Sequence, residues 1–96
     1  MLTIVEITDL NQKDLIALTI FCGTATVELI CMKLNELGVE ISESTVRARL
    51  SEMLREGTVF QLRRQEPSGF ALTVKGESEI VNLTLQLSDD ELGLLA

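Results

Sequence analysis

The segment from Ile41 to Gly57, ISESTVRARLSEMLREG, constrains the fold more than any other part of the chain. Ser42 can begin a helix because its hydroxyl can accept a hydrogen bond from an unpaired backbone N–H in the first turn. An apolar stripe follows at helical spacing, formed by Val46, Leu50, Met53 and Leu54. Gly57 has no Cβ atom and favours the left-handed turn that ends many helices. The segment therefore predicts an amphipathic helix with its apolar side in a core.

The opposite face of this predicted helix carries short polar groups and arginines, namely Ser44, Thr45, Arg47, Ala48, Ser51 and Arg55. An α-helix fits into the major groove of DNA, where arginine side chains can bind base edges. A core-packed helix with a positively charged front is therefore compatible with docking into DNA.

The charge distribution matters because the formal net charge of the 96-residue chain is −7. Residues 42–75 carry six basic and four acidic side chains. Residues 1–41 carry two basic and six acidic ones, and residues 76–96 carry five acidic ones and no basic one. This asymmetry favours one DNA-facing surface on an otherwise acidic body.

The chain length fits one domain with a modest core. Hydrophobic residues make up 46% of the chain and aromatic residues only 3%, so the core must be aliphatic. A small domain with more aliphatic surface than one core can hide often buries the rest against a second subunit. We therefore expect a homodimer.

The first part of the chain is predicted to contain a strand or arm followed by a helix. Leu2–Thr8 is rich in β-branched residues and predicts an N-terminal strand or arm over residues 1–10. Asn11 can begin a helix that continues to about Cys22 and stops at Gly23.

A second helix is predicted from a cap at Thr24 to about Leu37, with Gly38 at its end. Its buried face is formed by Val27, Ile30, Leu34 and Leu37. Three helices separated by single glycines favour a helix-turn-helix arrangement.

A hairpin is predicted next, with strands at Thr58–Arg64 and Phe70–Thr73 around a turn at residues 65–69. Residues 80–87 fit either a strand or a helix, and the helix is favoured because Thr and Glu precede them. Residues 88–91 have the spacing of a capping box, which permits a short terminal helix.

The order of three helices and a hairpin predicts an α+β fold, mainly α: a winged helix-turn-helix, with a β-hairpin wing and N- and C-terminal extensions. In Ser44–Leu50, Leu54–Val59 and Leu72–Gly76 the chain resembles the MarR and PadR type of transcription regulators. The resemblance implies a winged-helix DNA-binding domain over residues 11–76. It leaves dimerisation to the N-terminal arm and to a C-terminal extension over residues 77–96.

The resemblance also implies that the helix from Glu43 to Glu56 is the recognition helix. Arg47 would contact a base, because a guanidinium can bridge guanine O6 and N7. Ser44, Thr45 and Ser51 are sized to meet phosphate oxygens or a thymine methyl group, and Ala48 is the fourth small residue of this DNA-facing set.

The other arginines have weaker assignments. Arg49 and Arg55 are expected to contact the DNA backbone or to pair with nearby glutamates. Arg63 and Arg64 lie near the expected wing tip, where they could reach phosphates or a minor groove. Glu43 suits the start of a helix but repels phosphate.

The leading hypothesis is a sequence-specific regulator that binds double-stranded DNA as a homodimer and represses by promoter occupancy. The alternative is a winged-helix protein-interaction module that does not bind DNA. A third class, an acidic DNA mimic, is disfavoured by the clustered arginines. An enzyme is not expected, because the chain has no His, no paired-carboxylate motif and no Gly-rich phosphate loop.

No metal or cofactor is expected, since Cys22 and Cys31 are not in a CxxC arrangement. They are interpreted as buried, reduced thiols in the cytoplasm, in apolar surroundings that raise a thiol pKa. A dimer cleft between apolar helices could hold a small-molecule effector, although no motif indicates one.

No signal peptide is expected, because the N-terminus lacks a basic region. The stretch Leu15–Met32 is the one membrane candidate. Gly23 interrupts it and Glu28 adds a charge, so it is interpreted as two buried helices rather than a membrane span.

Overall fold

A computed structural model describes residues 11–23, 26–62 and 69–86. These residues form four helices and a two-stranded antiparallel sheet, which confirms a mainly α architecture with a small β component. The bounds in chain order are α1 Gln12–Phe21, α2 Val27–Glu36, α3 Glu43–Glu56, β1 Val59–Leu62, β2 Gly69–Leu72 and α4 Val74–Gln86. The expected arm over residues 1–10, the hairpin tip and the expected helix at residues 88–91 lie outside the described residues.

Helix α1 is the centre of the fold. Its apolar residues lie on nearly every side, and Leu15, Ile16 and Leu18 are almost completely buried. It contacts α2, α3, β2 and α4. At its start, the Asp14 backbone N–H donates a 2.8 Å hydrogen bond to Asn11 Oδ1, which confirms the predicted cap.

Helix α2 begins later than the sequence predicts. Its cap is Thr26, whose Oγ1 accepts a 3.2 Å hydrogen bond from the Leu29 N–H, so the prediction of a cap at Thr24 is wrong. A threonine at either position can supply the same hydroxyl.

Side-chain hydrogen bonds from α2 hold the connection between α2 and α3. Asn35 Nδ2 donates to the Cys31 carbonyl at 2.7 Å and to the Ile41 carbonyl at 2.9 Å. Gly38, at φ 90°, supplies the left-handed conformation that turns the chain after α2. The start of α3 is thereby fixed relative to α2.

Helix α3 has the predicted bounds. Ser42 Oγ accepts from the Thr45 N–H at 3.2 Å, and Gly57 is left-handed at φ 79°. The predicted core positions Val46, Leu50 and Met53 are buried. The fourth one, Leu54, is 39% exposed, so its assignment to the core is wrong. The stripe is narrower than predicted, since no described element fully covers its Leu54 edge.

The two strands pair from Val59 with Leu72 to Leu62 with Gly69. β1 begins one residue later than predicted, and β2 keeps the predicted length but begins and ends one residue earlier. The Thr73 N–H still donates a 3.0 Å hydrogen bond to the Thr58 carbonyl just beyond the paired residues. Thr58 is buried, and its Oγ1 donates a 3.2 Å hydrogen bond to the Met53 carbonyl at the end of α3. The expected strand residues Arg63 and Arg64 lie outside the described part of the chain.

Three residues join the start of α4 to the end of α3, and we call them the C-terminal clamp: Thr73, Lys75 and Gly76. Thr73 Oγ1 donates to the Gly57 carbonyl at 2.6 Å and accepts from the Gly76 N–H at 3.1 Å. Lys75 Nζ donates to the Glu56 carbonyl at 2.6 Å.

Gly76 is packed so closely that a Cβ atom there would overlap the Thr58 carbonyl oxygen. The clamp gives the segment Leu72–Gly76 a structural role. Helix α4 confirms the helical prediction for the residues after Thr73, and it packs on α1 and β2.

Candidate nucleic-acid interface

The side of α3 opposite the core is exposed to solvent. Ser44, Ala48, Ser51 and Arg55 follow one another at intervals of three or four residues, so they share one stripe. All four are exposed, and we call this stripe the front. No carboxylate of the described residues forms an ion pair with Arg55. The front therefore presents small groups and one accessible cation.

The flank of α3 that faces α1 holds two of the three glutamates of the helix, Glu52 and Glu56. Arg49 donates to Gln12 Oε1 at 3.1 Å and to Glu52 Oε2 at 2.6 Å, which confirms the predicted pairing of Arg49 with a glutamate. Lys13 Nζ lies 3.0 Å from Glu56 Oε1. The hydrogen bond from Arg49 is the main cause that lowers the pKa of Glu52. These carboxylates are neutralised away from the front.

Two of the predicted contact residues lie beside the front. Thr45 is half-buried, and its hydroxyl lies 3.0 Å from Ser42 Oγ in the helix cap. The Arg47 side chain is 60% exposed, and its Nη2 lies 3.7 Å from Glu43 Oε2. A solvent-exposed pair at this distance holds a side chain weakly. Arg47 is therefore accessible to another anion.

Arg47 also lines a groove of about 400 Å³ between the start of α2, α3 and the sheet. We call it the α2–α3 groove and define it by Glu28, Arg47, Leu50, Ser51, Leu54 and Phe70. Leu54 is the exposed apolar side chain of this groove, and the largely buried Leu50 and Phe70 also line it. Glu28 on α2 and Arg47 on α3 add opposite charges. The exposed edge of Leu54 lies in this groove, next to polar groups of the front.

Sequence reasoning assigned no site role to most residues that line this groove, including Thr26 and Gln61. Gln61 lies on β1 opposite Phe70, and the strand pairing brings it near α3. No local signal marks either residue, because each arrives through the packing of a separate element. The predicted wing residues Arg63 and Arg64 lie outside the described residues.

Among the described residues, the remaining thiols and carboxylates form no common site. Burial raises the pKa of the Cys22 thiol, as its apolar surroundings predict. Burial also raises the pKa of Asp14, and the nearby Glu79 carboxylate adds to that shift. In the described ranges, no group of three His, Cys, Asp or Glu residues could hold a metal ion. None of the described helices is long and apolar enough to cross a membrane.

No family model, curated protein or solved structure matches this chain. The resemblance to MarR and PadR regulators therefore stays a prediction. The front and the α2–α3 groove are the two surfaces from which a function can be inferred.

Proposed function

We propose that the protein is a winged helix-turn-helix regulator that binds double-stranded DNA through the front of α3. It acts in the cytoplasm as a homodimer without catalysis, and it represses by occupying a promoter. The order of three helices, a hairpin and a fourth helix supports this proposal. The absence of a His residue supports a binding role over acid–base catalysis.

The observation that carries the proposal is the separation of charge around α3. The helix contains three arginines and three glutamates, so its total charge gives no preference for DNA. Glu52 and Glu56 are held on the α1 side by Arg49 and Lys13. The front keeps Arg55 together with short side chains that allow the helix backbone to approach base edges.

The fixed ends of α3 support the same role. Asn35 holds the connection before its start, and the C-terminal clamp holds its end. A recognition helix gains from this rigidity, because binding then costs less conformational entropy. Its 14 residues span roughly 21 Å, enough to lie along a major groove.

Arg55 and Arg47 have different roles in the proposed DNA complex. Arg55 lies in line with Ala48 and Ser51 and is placed to bind a base edge. Arg47 lies at the rim, beside Glu43, and is placed to bind either a base or the neighbouring phosphate. Glu43 competes with DNA for Arg47, so the Glu43→Gln variant should bind DNA more tightly.

Selection from a pool of random DNA duplexes at low salt tests the proposal. We expect enrichment of a defined sequence and a mobility shift with the selected duplex. Arg55→Ala should weaken binding by roughly 1–3 kcal/mol and relax the preference at one base pair, if Arg55 contacts a base edge. Arg47→Ala should weaken binding by a similar or smaller amount.

Lys33→Ala is the matched control, since it also removes one cation but lies on α2 and pairs with Glu36. It should leave the selected sequence and the affinity for it nearly unchanged. Failure of the unmodified protein to enrich or shift any duplex would contradict the proposal.

Exposed apolar side chains favour a second candidate function, a protein-interaction module. Val74 is 82% exposed and Leu85 is 79% exposed, both on α4. In that case the protein should form a stoichiometric complex with a partner protein and fail to bind DNA. Solution mass measured with and without DNA separates these outcomes, because it also reports whether the chain is a dimer.

A further inference from the structure

The α2–α3 groove has features that DNA binding does not explain. Its surface includes Leu50, Leu54 and Phe70, whereas the DNA backbone is charged and hydrophilic. Its volume of about 400 Å³ lies in the range of small-ligand sites. A groove with an apolar surface and a few polar groups is the usual form of such a site.

The charges at this groove are of both signs. Arg47 comes from α3 and Glu28 from the first turn of α2. Neither is neutralised by the other, because the ion pairs of the described residues include Arg47 with Glu43 and none with Glu28. A simple anion would be repelled by Glu28, and a simple cation would be repelled by Arg47.

We propose that the α2–α3 groove binds an apolar α-amino acid as its zwitterion. The ligand carboxylate binds the Arg47 guanidinium, and the ligand ammonium group binds the Glu28 carboxylate. The aliphatic or aromatic side chain of the ligand lies on Leu54 and Phe70. The two charged groups and the side chain of the ligand each have a complementary partner in the groove. Binding would also remove the partly exposed Leu54 side chain from water.

Chemical-shift titration of the protein with L-leucine, in the absence of DNA, tests this proposal. We expect saturable changes at Leu54, Phe70 and Glu28, with a dissociation constant of about 1 mM, as suits a small ligand in an open groove. Because no DNA is present, the result does not depend on the proposed function.

Three matched ligands test the three contacts separately. 4-Methylpentanoate lacks the ammonium group, 3-methylbutylamine lacks the carboxylate, and glycine lacks the side chain. Each should bind about 10-fold more weakly than leucine, because each loses one charge-assisted hydrogen bond or the apolar contact. Equal binding of leucine and 4-methylpentanoate would overturn the zwitterion assignment.

Variants of the protein test the same contacts. Glu28→Gln and Arg47→Gln should each weaken leucine binding about 10-fold. Glu40→Gln and Lys33→Gln remove the same charges outside the groove and should leave leucine binding unchanged. All four changes are at surface side chains, and unchanged amide spectra away from the site would show that each variant folds. Absence of any shift at the groove up to about 20 mM leucine would overturn the proposal.

Discussion

The two flanks of α3 differ in how completely the chain provides their partners. On the α1 side, Arg49 has both Gln12 and Glu52 within hydrogen-bond distance. On the groove side, Arg47 has one distant carboxylate and Leu54 remains 39% exposed. The helix carries equal numbers of arginines and glutamates. The arginine on the α1 side has closer hydrogen-bond partners than the arginine on the groove side.

This difference shows how one helix can serve both stability and binding. Side chains that already have partners within the chain hold α3 in place, and few of their hydrogen-bonding groups are free to bind a ligand. Side chains that lack close partners contribute little to stability, but they can contribute favourable binding free energy when another molecule contacts them. Substitutions on the two sides should therefore have different consequences.

The largest effect is expected for Leu50→Ala, compared with Leu54→Ala one turn further along. Leu50 is buried, and its truncation should lower the free energy of unfolding by about 3 kcal/mol. Leu54→Ala should cost less than about 1 kcal/mol, because that side chain is already partly in water. Urea unfolding of the two variants measures both. Equal losses would show that the groove is covered in solution.

Gly76→Ala tests how tightly the end of α3 is held. The added Cβ would overlap the Thr58 carbonyl oxygen, so the backbone must shift, and we expect a loss of about 2 kcal/mol by urea unfolding. Ser78→Ala is the control, since Ser78 is exposed on the same helix and should change stability by less than about 0.5 kcal/mol. A fully stable Gly76→Ala protein would argue against the clamp.

Thr73→Val should have a smaller effect, about 1 kcal/mol, because valine keeps the shape and removes the hydroxyl. The Gly57 carbonyl and the Gly76 N–H would both lose a partner. Thermal unfolding measures the loss, and Thr73→Ser should restore most of it. If serine were no better than valine, the contribution of the hydroxyl would be refuted.

Glu52→Gln should give the smallest effect, and this effect should depend on pH. The pKa of Glu52 is lowered by its hydrogen bond from Arg49, so the ionised carboxylate stabilises the folded chain. This stabilisation is present above the unfolded pKa and is lost as pH falls through the folded one. Unfolding curves of Glu52→Gln and the unmodified protein should therefore differ at pH 7 and converge as the pH falls below the lowered pKa of Glu52. A constant difference would exclude the ionised carboxylate as its source.

Much of this architecture could be predicted from sequence where the signals are local. The bounds of α3 follow from Ser42 and Gly57, whose capping chemistry acts within one turn. The choice between Thr24 and Thr26 could not be made in this way, because both residues carry the same hydroxyl and either one can cap a helix. The exposure of Leu54 escaped prediction for a related reason: helical spacing defines a face, but neighbouring elements decide how much of it is covered.

The candidate site also contains residues that local sequence signals predict and residues that only tertiary packing brings together. The members of the front are predictable because they lie on one helix at regular spacing. Its neighbours Glu28 and Gln61 come from a different helix and from a strand, so only the packed chain brings them to Arg47. The separation of Glu52 from the front also depends on α1, which supplies the second partner of Arg49.

The close approach of Gly76 to Thr58 has a consequence for recognising relatives of this protein. Exposed charged residues on α3 can change without disturbing the core, and core residues can exchange among aliphatic types. A glycine pressed against a backbone carbonyl has no substitute of similar size. Homologues that keep this junction should therefore share Gly-Thr, a hairpin and then Thr-x-x-Gly, even after the rest of the chain has diverged.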